Sequence, residues 1–426
     1  MTTTEFSLQF LENTSLYLML WAAVFFLYRM LFWRTVKSIF DPIYFFIIFT
    51  NSVCTTNVIF LDLLGEIKTY YTVVYLLSEG ALLSGILWLS RPQPFLPPTP
   101  VRPLFVARLK FGMIFTIVLA VGASMVIYME RGIPMLLESR NDASGGGSGF
   151  GFLTRLSQVA IALFVLFYYV KRRVTDLPNS NFEHLMMLIS VLLGVLSGFK
   201  TFFLFYLFGY LVTRGRNNAR SLKKDFSVVL VGATLIVVLF AIRLRTTDID
   251  VLSLALMSRI LASGDVYYMA FANEMINQLP PQGFFYQLFG SLLASFRVIS
   301  WEQAPLNYGY AINEVVNENG LSFGPTFRYN VLWLHLTGSA LLTTLLSFIG
   351  GMIIGVFNRA LYRRTYLDFT FIFLAFFYYK SFLFILGPDH AINDFFLSLS
   401  ILLFISVVIF LVKPTRLNRT VSYGST

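Results

Sequence analysis

The sequence has few of the residues on which soluble enzymes depend. Charged residues make up 13% of its 426 residues, and it contains three histidines and a single cysteine, Cys54. An average soluble domain has roughly 25% charged residues. With one cysteine, an intramolecular disulfide is excluded. The sequence also lacks zinc-ligand spacings, a phosphate-binding glycine loop and a serine nucleophile motif, so zinc, nucleotide-driven and serine-hydrolase chemistries lose support.

Apolar residues are abundant instead. Hydrophobic residues account for 57% of the chain, aromatic residues for 17%, and the mean hydropathy is +0.71. Because a membrane-spanning helix needs about 20 apolar residues, we expect an all-α polytopic membrane protein. It should form a single bundle of about eleven transmembrane helices over residues 1–426. The predicted spans are 14–33, 42–62, 70–90, 111–129, 153–170, 184–197, 199–213, 226–243, 331–356, 368–386 and 394–412.

The basic residues predict the orientation. The net charge is +10, and 20 of the 32 Lys and Arg residues fall in alternate connections and in the C-terminal tail. Cytoplasmic loops of membrane proteins carry such an excess, so we expect the N-terminus outside and the C-terminus on the cytoplasmic side. This distribution explains the charge better than binding to nucleic acid does. The N-terminal residues lack Lys and Arg, so a cleavable signal is not predicted.

The loops place the candidate chemistry on the outer side. The proline-rich cytoplasmic loop 91–110 has no room for a catalytic domain, whereas the outer loops 130–152 and 244–330 are substantial. The longer one contains two amphipathic stretches, 251–263 and 283–297. These stretches predict helices that lie along the membrane surface and roof a cavity.

Isolated cations near this outer side are candidates for binding an anion. Arginine offers a fork of donors that matches phosphate oxygens, so we expect these residues to surround a diphosphate site without a metal ion. The alternative is that each only anchors the chain at the lipid headgroups. The predicted diphosphate-binding residues are Arg140, Lys200, Arg243, Arg245 and Arg328, and a further candidate is Arg259.

Two histidines are candidates for a general base. His335 is predicted one to two turns into the ninth span, and His390 follows Asp389 in the last outer loop. A histidine can accept a proton near neutral pH, although either one can equally be a hydrogen-bonded packing residue. Glu79 and Lys380 are predicted deep inside spans, where charges usually pair, so we expect them to be structural and to pair with each other. Proton coupling by Glu79 is the alternative.

Several motifs resemble those of the oligosaccharide repeat-unit polymerases (Wzy-type) of bacterial surface polysaccharide assembly. The first is GIPMLLESRND at 132–142, and the second is SGFKT at 197–201, where the family commonly has arginine in place of Lys200. The third is NEVVNENGLSFGPTFRYNVLWLHLTGSALLTTLLSFIGGMIIG at 313–355, which follows a long outer loop. The resemblance covers most of the chain by order and spacing.

The resemblance implies a GT-C-like membrane glycosyltransferase, similar in fold to Wzy polymerases and O-antigen ligases. Its donor would be an undecaprenyl-diphosphate-linked glycan and its acceptor a single lipid-linked repeat unit, joined by inverting, metal-independent transfer at the periplasmic face. His335 would be the catalytic base, and no cofactor is implied. A chain-length-regulating co-polymerase and membrane lipid are the other implied partners. An O-antigen ligase, a polysaccharide flippase and a non-catalytic assembly subunit remain alternatives.

Overall fold

The computed structural model describes most of the chain. It covers residues 1–36, 38–92, 103–137, 150–175, 180–197, 201–214, 248–316 and 329–411, together with Thr234, Ala241 and Pro325. Across these residues the structure is helical and has no β-strand, which confirms the predicted all-α class. The helices are α1 (Thr3–Glu12), α2 (Thr14–Leu31), α3 (Ile43–Leu63, π-helical to Asn51), α4 (Thr69–Leu89), α5 (Pro103–Arg131), α6 (Phe150–Thr175), α7 (Asn181–Leu196), α8 (Thr201–Arg214), α9 (Ile249–Leu261), α10 (Asp265–Ala270), α11 (Phe284–Ser295), α12 (Tyr308–Val316), α13 (Tyr329–Thr337), α14 (Ala340–Tyr362), α15 (Phe369–Ser381), α16 (Leu383–Leu386) and α17 (Pro388–Leu411).

Eight helical segments in the described part of the chain are long and apolar enough to cross a membrane. They are α2, α3, α4, α5, α6, α14, the continuous segment α15–α16, and α17. The predicted sixth and seventh spans form α7 and α8, which are helical but shorter. Most of the predicted eighth span, 226–243, lies outside the described residues. The protein is thus an all-α membrane protein, and the total of eleven spans stays a prediction.

Helices α4 and α14 pack with their backbones in contact. A methyl group added at Gly85 would lie 2.8 Å from the backbone nitrogen of Met352, and one added at Gly351 would lie 2.9 Å from the carbonyl carbon of Leu82. Gly351 and Gly355 form a small-xxx-small pattern, which lets membrane helices approach closely. Successive contacts move toward the C-terminal ends of both helices together. The two helices therefore run parallel, as the predicted topology requires.

The predicted ninth span is wrong at its start. Gly338 has a φ of +60°, a left-handed conformation that suits glycine, and it separates the short helix α13 from the spanning helix α14. The first residue of α13, Tyr329, is buried and donates a hydrogen bond to Glu79 in α4. Helix α13 therefore begins inside the bundle beside α4 and ends before α14 begins. His335 belongs to this short helix and not to a span.

The long segment between α8 and α13 is partly inside the bundle. Its two amphipathic stretches form the helices α9 and α11, as predicted. Between them, however, Cys54 of α3 donates to the carbonyl oxygen of Ser263 at 3.3 Å, and Asn57 donates to that of Leu261 at 3.1 Å. Residues 266–272 are all buried. The apolar and aromatic residues between these two helices thus pack between the spans, which the sequence pattern does not predict. The position of the two helices along the membrane surface stays a prediction.

Candidate functional site

Three charged side chains meet where α6, α15 and α17 come together. Arg155 Nη1 and Lys380 Nζ bind different oxygens of the same carboxylate, Asp394, and the Lys380 distance is 2.9 Å. The Asp394 side chain is only 1% exposed, whereas Arg155 is 31% and Lys380 16% exposed. One fully buried carboxylate thus holds two cations that keep some access to solvent.

This charged group lies near the predicted outer ends of its helices. Arg155 is five residues from the start of α6, Lys380 six residues before the end of α16, and Asp394 six residues into α17. At about 1.5 Å of rise per residue, these side chains originate about 8–9 Å below the helix ends. All three side chains therefore lie in the part of their helices that is nearer the predicted outer side.

The segment between α11 and α12 connects this group to both candidate histidines. Ser295 donates to Asn393 Oδ1 at 3.1 Å, and Asn307 contacts the ring of His390, which lies one helical turn before Asp394. The next residue, Tyr308, packs its ring against His335 with the centroids 5.3 Å apart. We call Arg155, Lys380, Asp394, His390, Asn307, Tyr308 and His335 the outer polar cluster. The consecutive residues Asn307 and Tyr308 therefore link His390 and His335, which lie far apart in the sequence.

His335 is held by the backbone of the outer segment. Its Nε2 lies 3.2 Å from the carbonyl oxygen of Pro280, so that nitrogen carries a proton and donates. Burial lowers the pKa of His335 below its ordinary value of 6.5, and hydrogen bonding to the Pro280 and Ile276 carbonyls opposes the shift. The imidazole is consequently neutral at pH 7.

The remaining predicted site residues are dispersed or lie outside the described part of the chain. Arg259 is exposed near the end of α9, and Asp389 is buried in the first turn of α17. The five predicted diphosphate-binding residues Arg140, Lys200, Arg243, Arg245 and Arg328 all lie outside the described residues. The predicted ring of cations thus stays a prediction.

The predicted pairing of Lys380 with Glu79 is wrong. Lys380 pairs with Asp394, and Glu79 instead accepts hydrogen bonds from Tyr28 Oη at 2.8 Å, Asn51 Nδ2 at 2.9 Å and Tyr329 Oη. Glu79 therefore joins α2, α3 and α13 to α4 through neutral donors. Sequence reasoning missed Arg155 because it lies inside a predicted span, although a cation five residues from a span's outer end is itself a signal of a functional position.

No group of three or more His, Cys, Asp or Glu side chains that could hold a metal ion occurs among the residues that the structure describes. Asp394, His390 and Asp389 are close in sequence, but Asp394 is already bound by two cations. The protein's own positive charges are therefore the groups at this site that suit an anion.

No family model, curated protein or solved structure matches this chain. The resemblance to repeat-unit polymerases rests on the sequence motifs given above.

Proposed function

We propose that this chain is an oligosaccharide repeat-unit polymerase, which joins lipid-diphosphate-linked sugars at the periplasmic face of the bacterial inner membrane. The observation that carries this proposal is the outer polar cluster, in which Arg155 and Lys380 share the single carboxylate of Asp394 near one end of the spanning helices. A donor whose leaving group is a lipid diphosphate needs fixed positive charge at the outer side to stabilise that group as it leaves.

The reaction follows from the chemistry of such a donor. A hydroxyl of the lipid-linked acceptor attacks the anomeric carbon of the growing chain, and the bond from that carbon to the diphosphate oxygen breaks. The electron pair leaves with the lipid diphosphate, and the hydroxyl proton passes to a base. Attack from the face opposite the leaving group inverts the anomeric configuration. Protein cations stabilise the charge that develops on the diphosphate.

His335 is the proposed base. Its depressed pKa keeps the ring neutral at pH 7, and its bond to Pro280 holds the ring in place. Arg140, Lys200, Arg243, Arg245 and Arg328 are proposed to supply further contacts to the diphosphate. The acceptor and donor lipids would enter from the bilayer, and a chain-length-regulating protein is a proposed partner.

The glycan made by a strain that lacks this protein tests the proposal. Loss of a polymerase leaves a single repeat unit on the lipid core, and wild-type protein supplied in trans restores the ladder of longer chains. Long polymer retained on its lipid carrier would instead indicate a ligase. Absence of any glycan at the periplasmic face would indicate a flippase.

The base assignment has its own test. His335→Ala protein, produced at the wild-type level, should give no ladder in the deletion strain, because the acceptor hydroxyl would lose its proton acceptor. His184→Ala is the matched control, since that histidine lies at the other end of the bundle beside Tyr168. A normal ladder from His335→Ala would remove His335 from the mechanism.

A further inference from the structure

Arg155 and Lys380 have unused hydrogen-bonding capacity. A guanidinium has five N–H donors and an ammonium has three. Within the described part of the chain, Arg155 makes one hydrogen bond, to Asp394, and Lys380 binds the other oxygen of that carboxylate while lying 5.8 Å from the ring centroid of Phe376. Both side chains are partly exposed, so part of each is accessible to a ligand.

Among the residues that the structure describes, the charges around Asp394 do not balance. Two cations face a single carboxylate, and His390, one turn earlier on α17, is a further group that can only add positive charge. The next acid along α17, Asp389, is five residues from Asp394 and so points to a different face of the helix. A partly buried excess of positive charge is costly unless an anion compensates it.

We propose that Arg155 and Lys380 bind a phosphate group of a prenyl-diphosphate lipid, and that Asp394 is a positioning residue that holds the two cations together when no lipid is bound. The carboxylate and the phosphate are competing counter-ions for the same pair of cations. The guanidinium suits this exchange because its fork can bind two phosphate oxygens while one N–H stays on Asp394. The identity of the lipid rests on the proposed function, but the binding requires no turnover.

Direct binding to the full-length protein in nanodiscs tests this assignment. The probe is farnesyl diphosphate, with farnesol and inorganic pyrophosphate as the two comparison ligands. Arg155→Gln and Lys380→Gln should each weaken farnesyl diphosphate binding by about 10- to 100-fold, as expected for loss of a charge-assisted hydrogen bond. Wild-type protein should bind the diphosphate lipid more tightly than either comparison ligand.

Two control variants separate binding from general effects of charge and stability. Lys68→Gln removes an exposed lysine on the predicted outer side that pairs with Glu274 and not with Asp394. Lys171→Gln breaks a buried ion pair with Glu183 at the opposite end of the bundle. Both should bind farnesyl diphosphate as the wild type does. Arg155→Lys keeps the ion pair with Asp394 and therefore the fold, yet should weaken binding because the fork is lost.

Asp394→Asn gives a result that a purely structural role would not give. Without the competing carboxylate the site carries more positive charge, so farnesyl diphosphate should bind several-fold more tightly and raise the melting temperature by more than it does in wild type. The variant without ligand should melt at a lower temperature. A merely structural carboxylate would lower the melting temperature and leave the ligand-induced rise unchanged.

The outcomes distinguish this inference from the proposed function. The proposed binding site is overturned if Arg155→Gln and Lys380→Gln bind farnesyl diphosphate with wild-type affinity. It is also overturned if Asp394→Asn binds this lipid no more tightly than the wild type does. Either result counts against the site even if the deletion strain shows loss of polymerisation. Equal affinity for inorganic pyrophosphate would overturn the assignment to a lipid. Conversely, farnesyl diphosphate binding can depend on Arg155 and Lys380 while deletion of the protein leaves polymer length unchanged. That combination would support the binding site and refute the proposed polymerase function.

Discussion

The close contact between α4 and α14 makes one glycine sensitive to a single methyl group. An alanine methyl at Gly351 would lie 2.9 Å from the carbonyl carbon of Leu82 and 3.1 Å from the backbone nitrogen of Ile86. Ordinary contact begins at 3.4 Å. Both obstacles are backbone atoms, which cannot rotate away, so Gly351→Ala forces the two helices apart by at least about 0.5 Å.

The neighbouring glycine provides the matched control. A methyl at Gly350 would meet only the Leu82 side chain, at 3.9 Å, which is an ordinary contact. Both substitutions add the same methyl to the same helix, and alanine favours a helix over glycine by about 1 kcal/mol in each. The difference between the two variants therefore isolates the helix contact. Overpacking of this kind costs about 1–3 kcal/mol.

Unfolding of the detergent-purified variants measures this difference. Gly351→Ala should unfold with a free energy about 1–3 kcal/mol lower than Gly350→Ala, and Gly350→Ala should be at least as stable as wild type. Equal stability of the two alanine variants would show that α4 and α14 do not approach each other at Gly351, and the described packing would be refuted.

Three further predictions concern buried polar groups. Tyr329→Phe removes one donor from the buried Glu79 carboxylate and should lower the free energy of unfolding by about 1–3 kcal/mol, whereas Tyr286→Phe, at an exposed hydroxyl, should have little effect. Lys171→Met leaves Glu183 as an uncompensated buried charge and should cost about 3–5 kcal/mol, most of which Glu183→Leu should restore in the double variant. The pKa of His335 is lower in the folded protein than in the unfolded chain, which therefore binds a proton first as the pH falls below 6.5. Stability should decrease from pH 6.5 downward through the depressed pKa, and the melting temperature of His335→Gln should lack this part of the pH dependence.

The sequence predicts the spanning helices well because hydropathy reports contact with lipid. Long apolar runs such as those in α4, α5 and α17 leave no other stable arrangement in a bilayer. The break at Gly338 was missed because both helices beside it are apolar, so hydropathy continues across the turn. The positive φ that ends α13 depends on tertiary packing, which an apolar pattern does not encode.

The partners of buried charges could not be read from the sequence. Glu79 and Lys380 both lie in spans, but which of them meet depends on which helices are neighbours. Lys380 and Asp394 lie at equal distances along the chain on either side of Gly387, where a tight turn joins their two helices. Residues placed in this way lie at the same level of a helical hairpin, so their pairing could have been predicted from the sequence. Burial of residues 266–272 was also unexpected. These few apolar residues lie within a long segment that is polar on average, so the composition of the segment does not reveal them.

Reconstitution tests the central claim most directly. Purified protein in proteoliposomes, supplied only with a defined undecaprenyl-diphosphate-linked repeat unit, should convert it into a ladder of longer lipid-linked chains and release undecaprenyl diphosphate. Protein that carries both Arg155→Gln and Lys380→Gln should make no ladder, while Lys68→Gln should match the wild type. A lipid-linked repeat unit that stays a single unit in the presence of folded wild-type protein would contradict the account.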